Sequence, residues 1–441
     1  MPATTRSQIA HRRQFLALVV VLVVVLVALV SRPQGDGDRT ASVPSVPAGR
    51  ITPRADPPSP SGAGASEQPT PNEAPSPTEA GASEQPAPND AVPQAWLAWI
   101  SGGFPAGFRN DARTLRALDR TVVVAGDTLW MSASHADDGS VVDDPREPYA
   151  IPLDAFAVNA EEYGPFLPES ARMSIVDALS TGKAVLGESS ASLRQLGEGG
   201  TLTFGGHTVE VGAVVPDELV GWSEVLVSRS VGAGLGIEHE RYLLALTARP
   251  FTERSFSALL ASRLPAGTPV RVDAPGTTPY VRVASGVRPV IVMKQAFGEF
   301  SAYPRSDDPA YLNMDPAWVK QHIDTRTVPL LGEVTCNVDL FPQLVGALTE
   351  MQERGLGGLV HVYSGCYVGR TVARSTTAPP SYHAYGAAID INAPENPYGV
   401  PPTNMDPRMV DIFERWGFNW GGDFLIPDGH HFEYWGPAKA A

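Results

Sequence analysis

The sequence predicts an α+β protein in which an N-terminal membrane anchor and a disordered stalk precede two globular parts. These parts are a mixed α+β middle domain and a C-terminal α+β domain with a small antiparallel sheet. Three observations support this: an apolar run near the N-terminus, a proline-rich segment without leucine or aromatic residues, and short strand and helix signals from residue 95 onward. The chain has 441 residues, 43% of them hydrophobic, which is enough to bury a sizeable core.

The composition excludes several classes of protein. With 33 Lys and Arg against 48 Asp and Glu, the formal net charge is −15. Nucleic-acid binding requires clustered positive charge, so we expect no nucleic-acid partner. The chain has only 2 Cys, which is too few for a disulfide-rich scaffold or a four-cysteine zinc site. Any metal site must therefore use mainly histidines and carboxylates.

The first segment carries a membrane-targeting signal. Residues 15–30 form an unbroken apolar run, with three arginines before it and two aspartates after it. This pattern predicts a cytoplasmic N-terminus over 1–13, a transmembrane anchor over 14–31 and export of everything that follows. A cleaved signal peptide is the alternative, but no Ala-x-Ala site follows the run. Both interpretations place the globular parts outside the cell.

The next segment, 32–94, is predicted to be a disordered stalk. Residues 31–93 contain 14 prolines and no Leu, Met or aromatic residue, so they cannot bury enough apolar surface to fold. The sequence GASEQPTPN at 64–72 recurs as GASEQPAPN at 81–89. Such a stalk spans about 45 Å as a coil and nearly 200 Å as polyproline II. That reach allows a membrane-held domain to work within a thick layer such as a cell wall.

The middle domain, 95–290, shows strand and helix signals. A hairpin is predicted over 201–211, where TLTF and HTVEV flank a Gly-Gly turn. A second strand pair is predicted over 121–132, and apolar spacing predicts helices over 171–181 and 254–263.

No catalytic constellation is apparent in the middle domain. His135, His207 and His239 are scattered singly, and we interpret them as surface or hydrogen-bonded histidines. Residues 182–216 resemble extracytoplasmic domains of bacterial transport permeases. The sequence predicts no function for this domain.

The C-terminal domain, 291–441, has clearer element signals. A helix is predicted over 340–354, where Pro342 lies in the first turn and Gly355 ends it. A strand is predicted over 359–364, and a second helix runs from 407 to 416 after an Asp cap.

The two cysteines flank this helix–strand unit. In an exported protein such a pair is expected to be oxidised, so we predict a disulfide between Cys336 and Cys366. Closing a loop of about 30 residues contributes roughly 3.6 kcal/mol in the chain-entropy model.

The residues that suggest chemistry lie in two short segments. SYHAYGAAIDIN, residues 381–392, carries His383 on a turn and Asp390 on the strand that follows. PDGHHFEYWG, residues 427–436, carries Asp428 in a turn and His431 on a strand. Two histidines and one carboxylate form a common catalytic zinc set, and a further unligated carboxylate accepts a proton from water. Spacing alone leaves two interpretations open: a metal site, or polar groups satisfied around glycine-rich turns.

These segments resemble the family of zinc D-alanyl-D-alanine carboxypeptidases and L-alanyl-D-glutamate peptidases, which is related in fold to the hedgehog signalling domain. The family pattern is Ser-x-His-x-x-Gly-x-Ala-x-Asp followed by an acid-x-x-His. The matching residues in this chain are Ser381, His383, Gly386, Ala388, Asp390, Asp428 and His431. The resemblance covers about residues 330–436, including WGG at 420–422.

The resemblance implies a ligand set and a base. It assigns zinc binding to His383, Asp390 and His431, and the general-base position to Asp428. Many family members have Glu at the base position, and Asp is typical of the branch that is similar to phage endolysins.

The resemblance also implies two supporting residues. The family has an upstream arginine that polarises the scissile carbonyl, and Arg370 matches it better than Arg374. Ser381 either binds substrate or shapes the turn that carries His383.

Taken together, these features predict a membrane-anchored zinc peptidase that acts outside the cell on peptidoglycan stem peptides. Two activities remain open, removal of a terminal D-Ala and cleavage within the stem, such as at L-Ala–D-Glu. The alternative from another class is a non-catalytic wall-binding or sensory module with a structural zinc. A structural site needs neither a base nor an arginine, and the chain offers Asp428 and Arg370 for those roles.

Overall fold

A computed structural model describes residues 94–276 and 288–438, except 377 and 402. These residues belong to one compact unit, Ala82–Ala441. The predicted cytoplasmic segment and anchor, and the predicted stalk up to residue 93, lie outside the described residues.

Among the described residues, none of the helices has both the length and the apolar character that crossing a membrane requires.

Within residues 94–276, ten strands form one sheet. The strands are β1 (Trp96–Phe104), β2 (Leu118–His135), β3 (Val141–Asp143), β4 (Ile151–Val158), β5 (Ala184–Gly187), β6 (Thr201–Phe204), β7 (His207–Val215), β8 (Val225–Ser228), β9 (Glu240–Thr247) and β10 (Arg271–Asp273). The helices are α1 (Phe108–Arg113), α2 (Ala160–Tyr163), α3 (Glu169–Ser180), α4 (Glu188–Arg194), α5 (Arg229–Gly234) and α6 (Glu253–Ala261).

The sheet closes on itself through its longest strand. Its order is β10-β1-β9-β2-β4-β8-β5-β7-β6, and β6 pairs back with β2. The predicted strand pair over 121–132 is wrong, because these residues lie within the single strand β2. No turn is needed there, since successive parts of β2 pair with β9, then β4, then β6.

The other predictions for this region are confirmed. The hairpin consists of β6 and β7, which pair in antiparallel register up to Phe204 and His207. Both turn glycines, Gly205 and Gly206, adopt positive φ, which explains the need for glycine. The predicted helices correspond to α3 and α6.

The C-terminal region also mixes helices with small sheets. Its helices are α7 (Val290–Phe297), α8 (Pro316–His322), α9 (Phe341–Glu353) and α10 (Pro407–Arg415). Its strands are β11 (Ala302–Pro304), β12 (Leu312–Met314), β13 (Ile323–Val328), β14 (Gly332–Asn337), β15 (Tyr363–Gly365), β16 (Ala388–Ile391), β17 (Phe418–Trp420) and β18 (His431–Tyr434). Four of them form an antiparallel sheet in the order β15-β16-β18-β17. The predicted α+β class is therefore confirmed.

One C-terminal element begins later than predicted. The predicted helices correspond to α9 and α10, and the Asp406 side chain caps α10 by accepting from the backbone N–H of Arg408. The strand predicted over 359–364 is observed only from Tyr363 to Gly365. Before it, the backbone N–H groups of His361 and Val362 donate to the Asn392 side chain instead of to a neighbouring strand.

A buried cluster of charges joins the large sheet region (residues 94–276) to the C-terminal region (residues 288–438). Arg194 and Glu224 come from the former, and Lys294 and Glu299 come from the latter. Lys294 Nζ lies 2.8 Å from Glu224 Oε1 and 2.7 Å from Glu299 Oε1. Arg194 pairs with both glutamates and is fully buried. Each charge has an opposite partner, so removal of one member would leave a buried charge uncompensated.

Candidate metal centre and active site

Three polar side chains converge at one end of the four-stranded sheet. His383 lies on a 3-10 turn, Tyr382–Tyr385, that leads into β16, and Asp390 lies on β16 itself. His431 begins β18, and it is the direct cross-strand partner of Asp390. Gly386, with a φ of 66°, ends this turn two residues before β16 begins. The fold therefore brings together the three predicted ligands.

The interatomic distances in this triad are short and nearly equal. His383 Nε2 lies 3.2 Å from His431 Nδ1 and 3.3 Å from Asp390 Oδ1. His431 Nδ1 lies 3.1 Å from Asp390 Oδ1. A tetrahedral ion with bonds of about 2.0–2.1 Å holds its ligand atoms about 3.3 Å apart. The triad is therefore a possible metal-binding site whose donor atoms fit a single ion.

Each histidine is oriented by a partner on its other ring nitrogen. His383 Nδ1 lies 2.6 Å from the carbonyl oxygen of Cys366, and His431 Nε2 lies 3.1 Å from Glu433 Oε2. Such outer partners fix the ring orientation and the tautomer of a metal ligand. The predicted disulfide between Cys336 and Cys366 is confirmed, with the two Cα atoms 5.5 Å apart. This disulfide ties the Cys366 carbonyl, which orients His383, to β14.

The electrostatics of the site favour a cation. Burial opposes ionisation of Asp390, but hydrogen bonds from His383 and His431 outweigh it and lower the pKa of this carboxyl far below its usual value. Burial also opposes protonation of His431, yet Asp390 and Glu433 raise its pKa to about 10. Burial lowers the pKa of His383, which favours the neutral imidazole that metal binding requires. A positive charge between these carboxylates is thus strongly stabilised.

Asp428 lies in the turn before β18, where a close approach of two backbone segments holds it. Its backbone N–H donates to the carbonyl oxygen of Gly421 at 2.8 Å, and its own carbonyl oxygen accepts from the N–H of His431 at 3.1 Å. A Cβ on Gly421 would lie 2.6 Å from the Asp428 carbonyl oxygen, so a larger residue there would displace Asp428.

The Asp428 carboxylate is suited to accept a proton. Its Oδ1 is buried and lacks a hydrogen-bond partner among the described residues, although it lies 3.0 Å from His430 Nδ1. That His430 nitrogen is directed instead at the Asn396 carbonyl oxygen, 2.7 Å away. Burial raises the pKa of Asp428, which makes the carboxylate a better base.

Arg370 lies close enough to the triad to interact with its charges. Burial lowers the pKa of Arg370, while the carboxylates of Asp390 and Asp428 favour its charged form. Arg374, the other candidate, is exposed and has a φ of 54°. Arg370 is therefore the arginine whose charge interacts with the carboxylates of the site.

The remaining candidates have structural contacts. Ser381 is buried, and its Oγ accepts from the backbone N–H of His383 at 3.4 Å, so it shapes the turn. Its substrate-binding role stays a prediction. His361 is exposed and pairs with Glu395. Glu433 is buried beside His431 as its orienting partner, and burial raises its pKa.

Two contributors were not identified from the sequence. The carbonyl oxygen of Cys366 orients a predicted ligand, and no side-chain pattern reveals a backbone acceptor. Asn396 is buried and holds the loop before α10, because its Oδ1 accepts from the N–H of Asn404 at 2.6 Å. Neither contribution belongs to a sequence motif, because each depends on a contact that only the folded chain makes.

Comparison with solved structures finds similarities under 15% identity. The chain is similar to the periplasmic region of MacB from Actinobacillus actinomycetemcomitans (12% identity, 42% of this chain and 89% of that chain, TM-score 0.28). It is also similar to the extracellular domain of the noncanonic ABC-type transporter YknZ from Gram-positive bacteria (14%, 41% and 100%, TM-score 0.26). A third is a domain of a putative permease from Porphyromonas gingivalis (13%, 44% and 92%, TM-score 0.26). No functional argument follows from TM-scores this low.

The curated proteins contain no match to this chain. A family model does match the segment that carries the triad, from residue 374 to residue 434. This segment includes Ser381, all three members of the triad and Asp428. The resemblance seen in the sequence is thereby confirmed: residues 374–434 match the D-alanyl-D-alanine carboxypeptidase family.

Proposed function

We propose that this chain is a membrane-anchored, extracytoplasmic zinc peptidase that hydrolyses peptide bonds of peptidoglycan stem peptides. One observation carries the proposal. Three ligand atoms lie 3.1–3.3 Å apart, and the triad's charges act on the neighbouring carboxylate of Asp428, whose Oδ1 is buried. A structural metal site has no use for such a carboxylate, whereas a hydrolytic site requires it.

The donor set favours zinc among the common ions. Two imidazole nitrogens and one carboxylate oxygen are typical of catalytic zinc, and three protein ligands leave a fourth position for water or substrate. When bound, zinc supplies Lewis acidity, which lowers the pKa of water and polarises a carbonyl. His383, Asp390 and His431 are the residues that would hold it.

The protein's own residues account for the proton transfers. Asp428 takes a proton from the water that attacks the peptide carbonyl, since its raised pKa makes it a stronger base than an exposed aspartate. The Arg370 guanidinium stabilises the negative oxygen of the tetrahedral intermediate. Protonated Asp428 then donates to the leaving amine, which completes the cleavage.

The predicted N-terminal segments support the choice of substrate. An anchor over 14–31 and a stalk over 32–94 would hold the catalytic domain outside the membrane at a distance of tens of ångströms. Peptidoglycan is the peptide-bearing polymer found at that distance from a bacterial membrane. Stem peptides contain the D-amino-acid bonds on which the matched family acts.

Incubation of the full chain with defined muropeptides, followed by mass spectrometry, tests the proposal. We expect either loss of a terminal D-Ala or an internal cut in the stem. Unchanged muropeptides at one equivalent of zinc would refute the peptidase assignment and favour a wall-binding module.

Two pairs of variants assign the roles. Asp428→Asn should abolish turnover while zinc stays bound, and Asp423→Asn, an exposed neighbour in the same loop, should retain both. His383→Ala should lose the metal, whereas His361→Ala, which alters an exposed histidine, should keep it. Activity in Asp428→Asn would remove Asp428 from the base role, and stoichiometric zinc in His383→Ala would remove His383 from the ligand set.

A further inference from the structure

An open groove of about 720 Å³ lies between the large sheet region and the C-terminal region. Four half-buried tyrosines contribute to its walls: Tyr149, Tyr303, Tyr311 and Tyr367. Tyr149 comes from the segment before β4, and the other three come from the C-terminal region. The groove volume falls within the roughly 300–1,000 Å³ typical of ligand pockets.

The backbone connects this groove to the candidate active site. Residues 367–369 line the groove, and they directly follow Cys366, whose carbonyl oxygen orients His383. The N–H of Val368 donates to the carbonyl oxygen of His383 at 3.0 Å. Arg370, which follows the lining residue Gly369, forms an antiparallel bridge with Tyr311. The lining segment 367–369 thus continues directly into Arg370.

The tyrosines are arranged as a binding surface and not as a packed core. The rings of Tyr149 and Tyr303 meet edge to face with centroids 5.0 Å apart. All four tyrosines are half-buried, so part of each ring stays open to a ligand. Tyrosine offers a large, rigid contact area at a low cost in side-chain entropy, which is why it is enriched at recognition sites.

The charges of the groove favour an acidic ligand. Its lining includes Arg305 and Lys320 but no carboxylate. Arg305 is already paired with Asp307 and lies over the Tyr311 ring, whereas exposed Lys320 has no ion-pair partner within the described residues. Among the described residues, Lys320 is therefore the unpaired cation of the lining, and Arg370 directly follows the lining residue Gly369.

We propose that this groove binds the carboxylate-bearing part of the substrate peptide that lies on the Arg370 side of the scissile bond. The identity of the peptide rests on the function proposed above. The tyrosines contact the peptide backbone and aliphatic stems, and Lys320 pairs with a free carboxylate. The large sheet region then contributes to substrate recognition through Tyr149, the residue by which it lines the groove.

Fluorescence anisotropy with a labelled stem tetrapeptide, L-Ala–γ-D-Glu–L-Lys–D-Ala, tests this subsite. The full chain carries Asp428→Asn in every sample, so that the peptide stays intact. Lys320→Glu and Tyr303→Ala should each raise the Kd about tenfold. Two controls should stay within twofold: Tyr303→Phe, which keeps the ring, and Arg263→Glu, which makes the same charge change on an exposed residue of the large sheet region. Amidation of the D-Glu carboxylate should weaken binding to the protein that carries Asp428→Asn alone. It should not weaken binding to the protein that also carries Lys320→Glu.

An unchanged Kd in both groove variants would overturn the proposal. Its failure is distinguishable from failure of the proposed function. If the unmodified chain cleaves muropeptides while the groove variants bind normally, the subsite is wrong and the peptidase stands. If binding depends on Tyr303 and Lys320 but no cleavage occurs, the groove stands and the peptidase is wrong.

Discussion

Replacing Gly421 with alanine should impair catalysis without unfolding the protein. The added Cβ would lie 2.6 Å from the Asp428 carbonyl oxygen, where ordinary van der Waals contact begins near 3.4 Å. The Asp428 backbone must therefore move by about 0.8 Å. The same Cβ would lie 3.2 Å from the Cβ of His431, which requires a shift of only a few tenths of an ångström.

A displacement of about 1 Å in a catalytic group costs roughly 100-fold in rate, which corresponds to about 2.7 kcal/mol of transition-state stabilisation. We expect kcat/KM for muropeptide hydrolysis to fall by about that factor in Gly421→Ala. Gly358→Ala is the matched control, because a Cβ there meets no atom within 4 Å. Thermal unfolding of both variants verifies that they remain folded. Full activity in a folded Gly421→Ala protein would refute the placement of Asp428 as the base.

Three further predictions concern stability. Lys294→Met leaves Glu224 and Glu299 buried without this cation, so urea unfolding should show a loss of about 3–5 kcal/mol; a loss below 1 kcal/mol would contradict the buried cluster. Removing the disulfide by Cys336→Ala with Cys366→Ala should lower the free energy of unfolding by roughly 3.6 kcal/mol, and unchanged stability would mean that the loop it closes is already ordered when unfolded. Burial opposes ionisation of Glu299, but Lys294 and Arg194 outweigh it and lower its pKa. The stabilisation from Glu299 should be full above its unfolded pKa of about 4.3 and disappear as the pH falls through the lower folded value. The difference in unfolding free energy between the unmodified protein and Glu299→Gln should therefore shrink between pH 5 and pH 3, and a constant difference would exclude this linkage.

Local chemistry made several elements predictable from the sequence. Gly205 and Gly206 determine their turn because both require positive φ, and Asp406 caps α10 through its own side chain. The strand predicted over 359–364 was wrong at its start because the donors of His361 and Val362 find a side chain 30 residues away. A contact of that kind leaves no local signal.

The same distinction holds for the candidate site. His383, Asp390 and His431 were found because short motifs carry them, and cross-strand pairing of β16 with β18 then brings two of them together. The buried charge cluster was not found, since Arg194 and Lys294 are a hundred residues apart and only the folded chain makes them neighbours of the same glutamates. Sequence motifs therefore predicted the ligand residues. The buried charge cluster has no motif, because its members become neighbours only when the chain folds.

The position of the metal ion is the most direct test of the proposed zinc site. Anomalous diffraction at the zinc absorption edge, from crystals of the full chain grown with one equivalent of zinc, should show a single peak among His383 Nε2, Asp390 Oδ1 and His431 Nδ1. We expect the ion to lie about 2.0–2.2 Å from each of these atoms. A peak at another place in the chain, or no peak while the three side chains keep this geometry, would contradict it.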